Sequence, residues 1–319
     1  MLNLRLLSML CLSMSVPWAW AQDYPTKPVR LIVPLAPGGG VDNFARGIAA
    51  SLTESLKQTV VVDNRAGAAG SLGAGLVARA TPDGYTLLMA SASFLIYPLI
   101  NPGPYDPVRD FAPVTHAVSQ PLLLAINSVV PAKTVSELIA LARAKPGTLN
   151  YGSSGNGGFP HLAAELFKAM TATNLVHIPY KGASAALPDL IAGQIQFMFG
   201  GLALIMPHIK SGKLRGLALS GRTRLKNAPE FPTLHEAGVP GFDATQSYGV
   251  LAPAGTPRPV IDRLQREIAV ALQRPELIAQ LAIDGQEPVA SSPRQFERHI
   301  RSELDKWRKV IKEAGVRGE

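Results

Sequence analysis

The run V-R-L-I-V at 29–33 passes through P-L-A-P into three consecutive glycines, and Val41 and Asp42 then open an apolar stripe, Phe44, Ile48, Leu52 and Leu56, with a helical spacing. A strand that feeds a helix through a glycine turn is the repeating unit of α/β architecture. Three glycines in a row are a costly way to write it, because each loses more backbone entropy on folding than any other residue. The turn therefore has a use for bare main chain. At the end of a parallel strand it leaves several backbone N–H groups aimed at one place, where the helix dipole adds partial positive charge, so an anion can be held without a cationic side chain. A plain tight turn with Asp42 capping the helix would be written with the same residues, and one loop does not separate the two readings.

Strand-like runs at 29–33, 60–62, 86–89, 122–126, 176–179, 196–199, 214–219 and 248–251 alternate with helical patterns, which predicts α/β lobes built on mostly parallel sheets flanked by helices. Thr134 with Glu137 forms a capping box. Thr256-Pro257 and S-P-R-Q at 292–295 read as capped starts of two late helices, the second carrying Phe296, Ile300, Leu304, Trp307 and Ile311. A second strand, glycine turn and helix follows at L-N-Y-G (149–152), S-S-G-N-G-G and 161–170, so two lobes of one general kind are expected. No Ser/Gly linker marks a boundary. The lobes are then expected to be joined by extended strands crossing near 122–127 and 246–251, with 22–123 and 246–319 in one lobe and 124–245 in the other.

A third cluster, G-A-A-G at 67–70, precedes G-A-G-L-V-A at 73–78, which satisfies a G-x-G-x-x-A dinucleotide pattern. Those glycines lie well past the strand end, and no acidic residue closes the strand at 86–90, so a dinucleotide site is not expected. G-S-S-G-N at 152–156 falls one glycine short of a nucleophile elbow, because Asn156 stands where G-x-S-x-G needs glycine. The six histidines, His116, His161, His177, His208, His235 and His299, have no metal-binding spacing and read as surface or helix-end residues. No cofactor, metal or catalytic residue is expected.

Residues 1–21 carry Arg5, an apolar stretch at 6–16 and A-W-A at 19–21, the pattern of a secretory signal peptide cleaved after Ala21. The apolar run is shorter than the about 20 residues that span a bilayer. Cys11, the only cysteine, lies inside this segment, so disulfides, thiolate metal sites and cysteine nucleophiles drop out together for an exported chain. The net charge of +8 is scattered without basic runs or interleaved aromatics, which argues against a nucleic-acid partner, although it favours the approach of small anions.

The pieces V-P-L-A-P-G-G-G-V-D, N-R-A-G-A-A-G, P-D-G-Y-T-L-L, Y-D-P-V-R-D-F-A-P-V, Y-G-S-S-G-N-G-G-F-P-H-L-A-A-E-L-F, H-I-P-Y-K-G, G-K-L-R-G-L-A-L and L-A-P-A-G-T-P occur in this order. From Tyr24 to its C-terminus the chain resembles the Bug family, extracytoplasmic solute receptors of the tripartite tricarboxylate transporter type. The resemblance implies a type II, Venus-flytrap periplasmic binding protein, monomeric, that closes its lobes on a small carboxylate and passes it to a membrane permease. It implies ligand contacts from Leu35, Ala36, Gly38, Gly39, Val41 and Asp42, helped by Ala69, Ser91 and Ser93, in the first lobe. In the second lobe it implies Ser154, Asn156, Gly157, Phe159 and His161, with Gly182, Ala183 and Ser184. Departures from the family pattern add expectations. Val41 removes a hydroxyl contact, Phe159 narrows or dries the cleft, and Ser247 replaces a tryptophan. Gly200-Gly201 replaces an aspartate that would favour a ligand ammonium group, so an anion without an amino group and with an apolar or aromatic body is expected. Two rivals stay open at this level: a receptor that signals to a sensor protein, and an exported enzyme acting on a carboxylic acid in the same cleft.

Overall fold

The computed structural model describes residues 24–101 and 103–317; the expected signal segment, with Cys11, lies outside the described residues. Ten helices and eleven strands are built in the order β1 (Val29–Val33), α1 (Gly40–Leu56), β2 (Val60–Asn64), a 3-10 turn (Ala68–Gly70), α2 (Ser71–Ala78), β3 (Thr86–Ala90), α3 (Ala92–Ile100), β4 (Phe111–Pro121) and β5 (Leu123–Asn127) among the described residues. There follow α4 (Val135–Ala144), β6 (Asn150–Ser153), α5 (Phe159–Thr171), β7 (Val176–Pro179), α6 (Ala183–Ala192), β8 (Phe197–Gly200), α7 (Leu202–Lys210) and β9 (Leu214–Leu219). The chain ends with β10 (Thr245–Pro253), α8 (Arg258–Ala271), α9 (Pro275–Ile283), β11 (Glu287–Pro288) and α10 (Pro293–Ala314). No described helix is long and apolar enough to cross a membrane.

The strands form two mixed sheets, ordered β11-β4-β10-β3-β1-β2 and β7-β6-β8-β5-β9. In the first, β1 pairs in parallel with β2 and β3, while β10 runs antiparallel to β3 and β4, and β11 antiparallel to β4. In the second, β6 is parallel to β7 and β8, and β5 is antiparallel to β8 and β9. The reversals are introduced chiefly by β5 and β10, the strands through which the chain enters the second sheet and returns to the first. Side chains alternate as a two-sided sheet requires: Leu31 and Val33 face a core shared with α1 and α8, and Ile32 faces one shared with α2, α3 and α10.

Between β4 and β5 stands only Leu122, so the chain changes sheets without a tether. The fully buried Ser220 stitches this passage to the returning one. Its Oγ accepts from Leu122 N–H (2.8 Å) and donates to Ala244 O (2.5 Å), while its own N–H donates to Leu122 O and its carbonyl accepts from Ala244 N–H. Both crossings are thus joined at one residue.

Helix α10 is shared. The capping box forms as expected, with Ser292 Oγ accepting from Gln295 N–H and Gln295 Oε1 accepting from Ser292 N–H. Phe296, Ile300 and Leu304 pack on the first sheet, and Trp307, Val310 and Ile311 enter the core of the second. At the other expected late start, Thr256 does not cap α8: its hydroxyl turns back to Pro253 O at 2.8 Å, and Pro257 precedes the helix instead.

Candidate functional site

The three glycines of the first loop answer to three different demands. Gly38 adopts φ +85°, a left-handed backbone that strains any residue with a Cβ. Gly40 faces the turn after α9, where an added methyl would stand 2.8 Å from Asp284 Oδ2. Gly39 has extended backbone (φ −85°, ψ 170°), and a methyl on it would meet no protein atom within 4 Å. No folding constraint requires glycine there, yet Gly39 is the residue from which α1 starts, and no side chain caps that start.

Asp42 serves the loop from inside. It is 2% exposed, with Oδ2 accepting from Gly38 N–H (3.0 Å) and Arg46 Nε (2.9 Å) and Oδ1 accepting from Asn64 Nδ2 (2.9 Å). Burial works to raise its pKa, but the bonds from Arg46, Gly38 and Asn64 outweigh that and hold the carboxyl below the usual carboxylate range. Asp42 is therefore a brace, already engaged on both oxygens. Replacing it by alanine strands the Gly38 N–H and Asn64 amide and is expected to cost about 2–3 kcal/mol. Because the folded-state pKa is depressed, this contribution is complete above the unfolded carboxylate value, roughly pH 4. It is lost as pH falls through the folded value, so the wild type and Asp42→Ala should converge in chemical-denaturation stability in acid and diverge at neutral pH.

The second loop repeats the device with another side chain. Gly157, at φ +68°, donates its N–H to His161 Nδ1 at 3.1 Å, the same four-residue spacing as Gly38 to Asp42. His161 is buried, stacked on His177 at 3.8 Å, and its Nε2 lies 3.7 Å from Glu165 Oε1. Burial, His177 and Lys168 push its pKa down to about 3, so the ring is neutral and accepts through Nδ1. Beneath it Ser153 Oγ contacts His177 Nε2 at 2.6 Å and also accepts from Gly155 N–H. This serine and histidine are a loop brace with the hydroxyl fully buried. His116, expected at the surface or a helix end, is instead buried in β4 and stacked on His299 at 4.5 Å, since its ring packs beneath α10.

A cavity of about 360 Å³ brings together Ala69 and Ser93 from the first sheet's loops with Asn156 and Gly157 from the second's. Its remaining walls include Ile96, Tyr97 and Ile100 of α3 and the side chain of Arg317, residues that carry no local motif. Ser91, at the start of α3, is bonded to Ser93 through their hydroxyls at 2.9 Å. Leu35, Ala36, Gly38 and Gly39 precede α1 and do not line this cavity. Gly182, Ala183 and Ser184 form the equally uncapped start of α6, where Gly182 has φ +112° and open space where a Cβ would stand. Ser154 folds back over Gly158, which starts α5 without a side-chain cap. By contrast, α4 and α10 start on Thr134 and Ser292, whose hydroxyls do cap them.

Side-chain placement bears on three expectations, and corrects the one for Phe159. Phe159 does not narrow the cleft: it is 6% exposed and packs edge-on against Trp307 at 5.4 Å, because the first turn of α5 points it into the core. Val41 likewise turns its side chain into the core, which fits the absence of a hydroxyl contact from this position. Finally, a carboxylate from another element stands near Gly200-Gly201. Asp284 Oδ1 lies 3.7 Å from where a Gly201 methyl would stand, and the carboxylate accepts from the Ala203 N–H in the first turn of α7. The G-x-G-x-x-A match falls inside α2, where Gly73 lets the helix touch Pro34 and Arg65 O. Among the described residues no group of three His, Cys, Asp or Glu side chains is placed to hold a metal.

Residues 44–316 match the profile of the family described as "Tripartite tricarboxylate transporter family receptor". Protein BugT of Bordetella pertussis is 37% identical over 300 residues, covering 93% of this chain and 92% of that relative. Rpa4515 of R. palustris, solved with adipate, superposes with a TM-score of 0.82 at 36% identity over 92% of this chain and 99% of that one. The periplasmic binding protein BugD superposes with a TM-score of 0.79 at 32% identity (93% and 100% coverage), and MatC of Rhodopseudomonas palustris, solved with malate, with 0.76 at 29% (90% and 100%).

Proposed function

The chain belongs to the tripartite tricarboxylate transporter receptor family, and from that premise we propose that it is a periplasmic receptor which captures a small carboxylate between two lobes and delivers it to a membrane permease. The observation that carries the reading is the pair of loops, one on each sheet, whose helices start on glycine with no side-chain cap, each with a positive-φ glycine tied to a side chain four residues on. The first-turn N–H groups of α1, and those of Phe159 and His161 in α5, where Pro160 has none, lack an intrahelical acceptor, and a carboxylate oxygen is the partner such groups favour. Gly39 has the room such an oxygen needs. The adipate and malate of the two related structures are carboxylates, which supports the same class here.

Residues 1–21 are the export signal in this proposal, 22–123 with 246–319 make one lobe and 124–245 the other, and the receptor works as a monomer. Ligand contacts on both lobes at once favour the closed state, and the closed receptor is the form a permease reads. Native mass spectrometry of protein purified from the periplasm is expected to show a retained small acid, and calorimetric titration with that acid a single site. A protein that binds no carboxylate, or that converts the retained acid to a product, would overturn the proposal.

A further inference from the structure

Asp284 carries a carboxylate without a cation. It follows α9 in the turn that leads to β11, and burial pushes its pKa above the usual carboxylate range, opposed by the Ala203 N–H and by Gln120. It forms no salt bridge among the described residues; its carboxylate neighbours are amides, including Gln286 Nε2 at 3.5 Å from Oδ2, and Gln120 Nε2 ties its main-chain carbonyl at 2.9 Å. Other partly buried acids near the loops are balanced: Asp42 by Arg46, Asp63 by Arg30 and Arg65, Glu165 by Lys168. A desolvated carboxylate held by amides alone is costly, and the cost falls when a donor with positive charge arrives.

Its position says where that donor would come from. Oδ2 lies against Gly40 in the first turn of α1, and Oδ1 against Gly201 at the start of α7, so the carboxylate sits between helix starts that belong to different sheets. Gly40 is the neighbour of Gly39, whose open face is the proposed seat of the ligand carboxylate.

We propose that Asp284 is a specificity-determining residue of the cleft, accepting a cationic N–H donor of a ligand whose carboxylate is held at the glycine loops and repelling a second carboxylate at that point. The inference rests on the carboxylate-receptor reading. It names the ligand class as a carboxylic acid that also bears an ammonium group.

The test titrates the receptor, freed of retained ligand by unfolding and refolding, with matched straight-chain acids of three to six carbons: the plain acid, the terminal amino acid and the dicarboxylate. At the chain length that binds best, the amino acid is expected to bind at least about tenfold more tightly than the dicarboxylate. Asp284→Asn, which keeps shape and amide contacts, should shrink that ratio by at least about tenfold at an unchanged Tm, with Asp284→Ser as the second variant if Asn perturbs folding. A wild type that prefers the dicarboxylate, or folded variants that keep the wild-type ratio, would overturn the inference while leaving the receptor reading in place. If no acid in any series binds the wild type, this inference fails, and the receptor reading fails with it only where native mass spectrometry also shows no retained acid.

Discussion

Gly39→Val is expected to lower carboxylate affinity by more than about 100-fold, which corresponds to roughly 2.7 kcal/mol, while moving Tm by only a few degrees. The extended backbone at Gly39 accepts a β-branched residue, and the new side chain meets no protein atom within 4 Å at its root. Valine is a poor N-cap, which costs on the order of 1 kcal/mol, and the stiffer unfolded chain offsets part of that. A ligand oxygen brought to the first-turn N–H groups of α1 would need the space that the side chain fills. The neighbouring glycines supply the control. Gly38→Val must enter a left-handed backbone, and Gly40→Val drives a side chain into the Asp284 carboxylate, so both should lose stability together with affinity. Calorimetric titration and thermal unfolding of the three variants decide it. A Gly39→Val protein that keeps its affinity, or loses stability and affinity in step, would mean that the loop is a turn and nothing more.

The parts of this site that sequence could give are those written within a few residues of one another. The strand at 29–33, the glycines and the stripe of α1 are adjacent, and the spacing of Gly38 to Asp42 and of Gly157 to His161 lies within single helix starts. The strand β4 escaped because Pro113 lies inside it and Pro121 ends it, and proline argues against a paired strand until its free side is known. Helices α3, α6 and α7 escaped for a related reason: each contains a proline, at 98, 188 and 207, in a short apolar run that periodicity cannot tell from a strand. Asp284 was beyond reach altogether. D-G-Q at 284–286 reads as an ordinary helix end, and only the packing of the α9–β11 turn against Gly40 and Gly201 sets its carboxylate between those two helix starts. The direction of a side chain was the other blind spot, for Phe159 and Val41 belong to the loops by position and to the core by orientation.

Trp307→Ala is expected to cost about 4 kcal/mol, lowering Tm by roughly 10 °C, the largest stability effect of the substitutions considered. The indole is 1% exposed, its Nε1 donates to Glu303 Oε2 at 2.9 Å, and its ring meets Phe159 edge-on. Truncation empties a site lined by the second sheet's core and leaves Glu303 one donor short. The consequence should not stop at stability. The first three turns of α10 are anchored under the first sheet by Phe296, Ile300 and Leu304, so Trp307 is the first and largest of the three side chains, with Val310 and Ile311, by which that helix grips the second core. Phe159, its partner, is the first residue of α5 and follows directly on the glycine loop. A loosened Phe159 lets that loop wander, and ligand affinity should fall with it. Differential scanning calorimetry is expected to give one cooperative transition for the wild type and a broadened or divided one for Trp307→Ala, because the strap that makes the two cores melt together has been cut. Trp307→Phe keeps the aromatic contact and should restore a single transition with most of the lost Tm. An alanine variant that melts within about 1 kcal/mol of the wild type, in one sharp transition, would show that α10 merely lies on the second core and does not hold it.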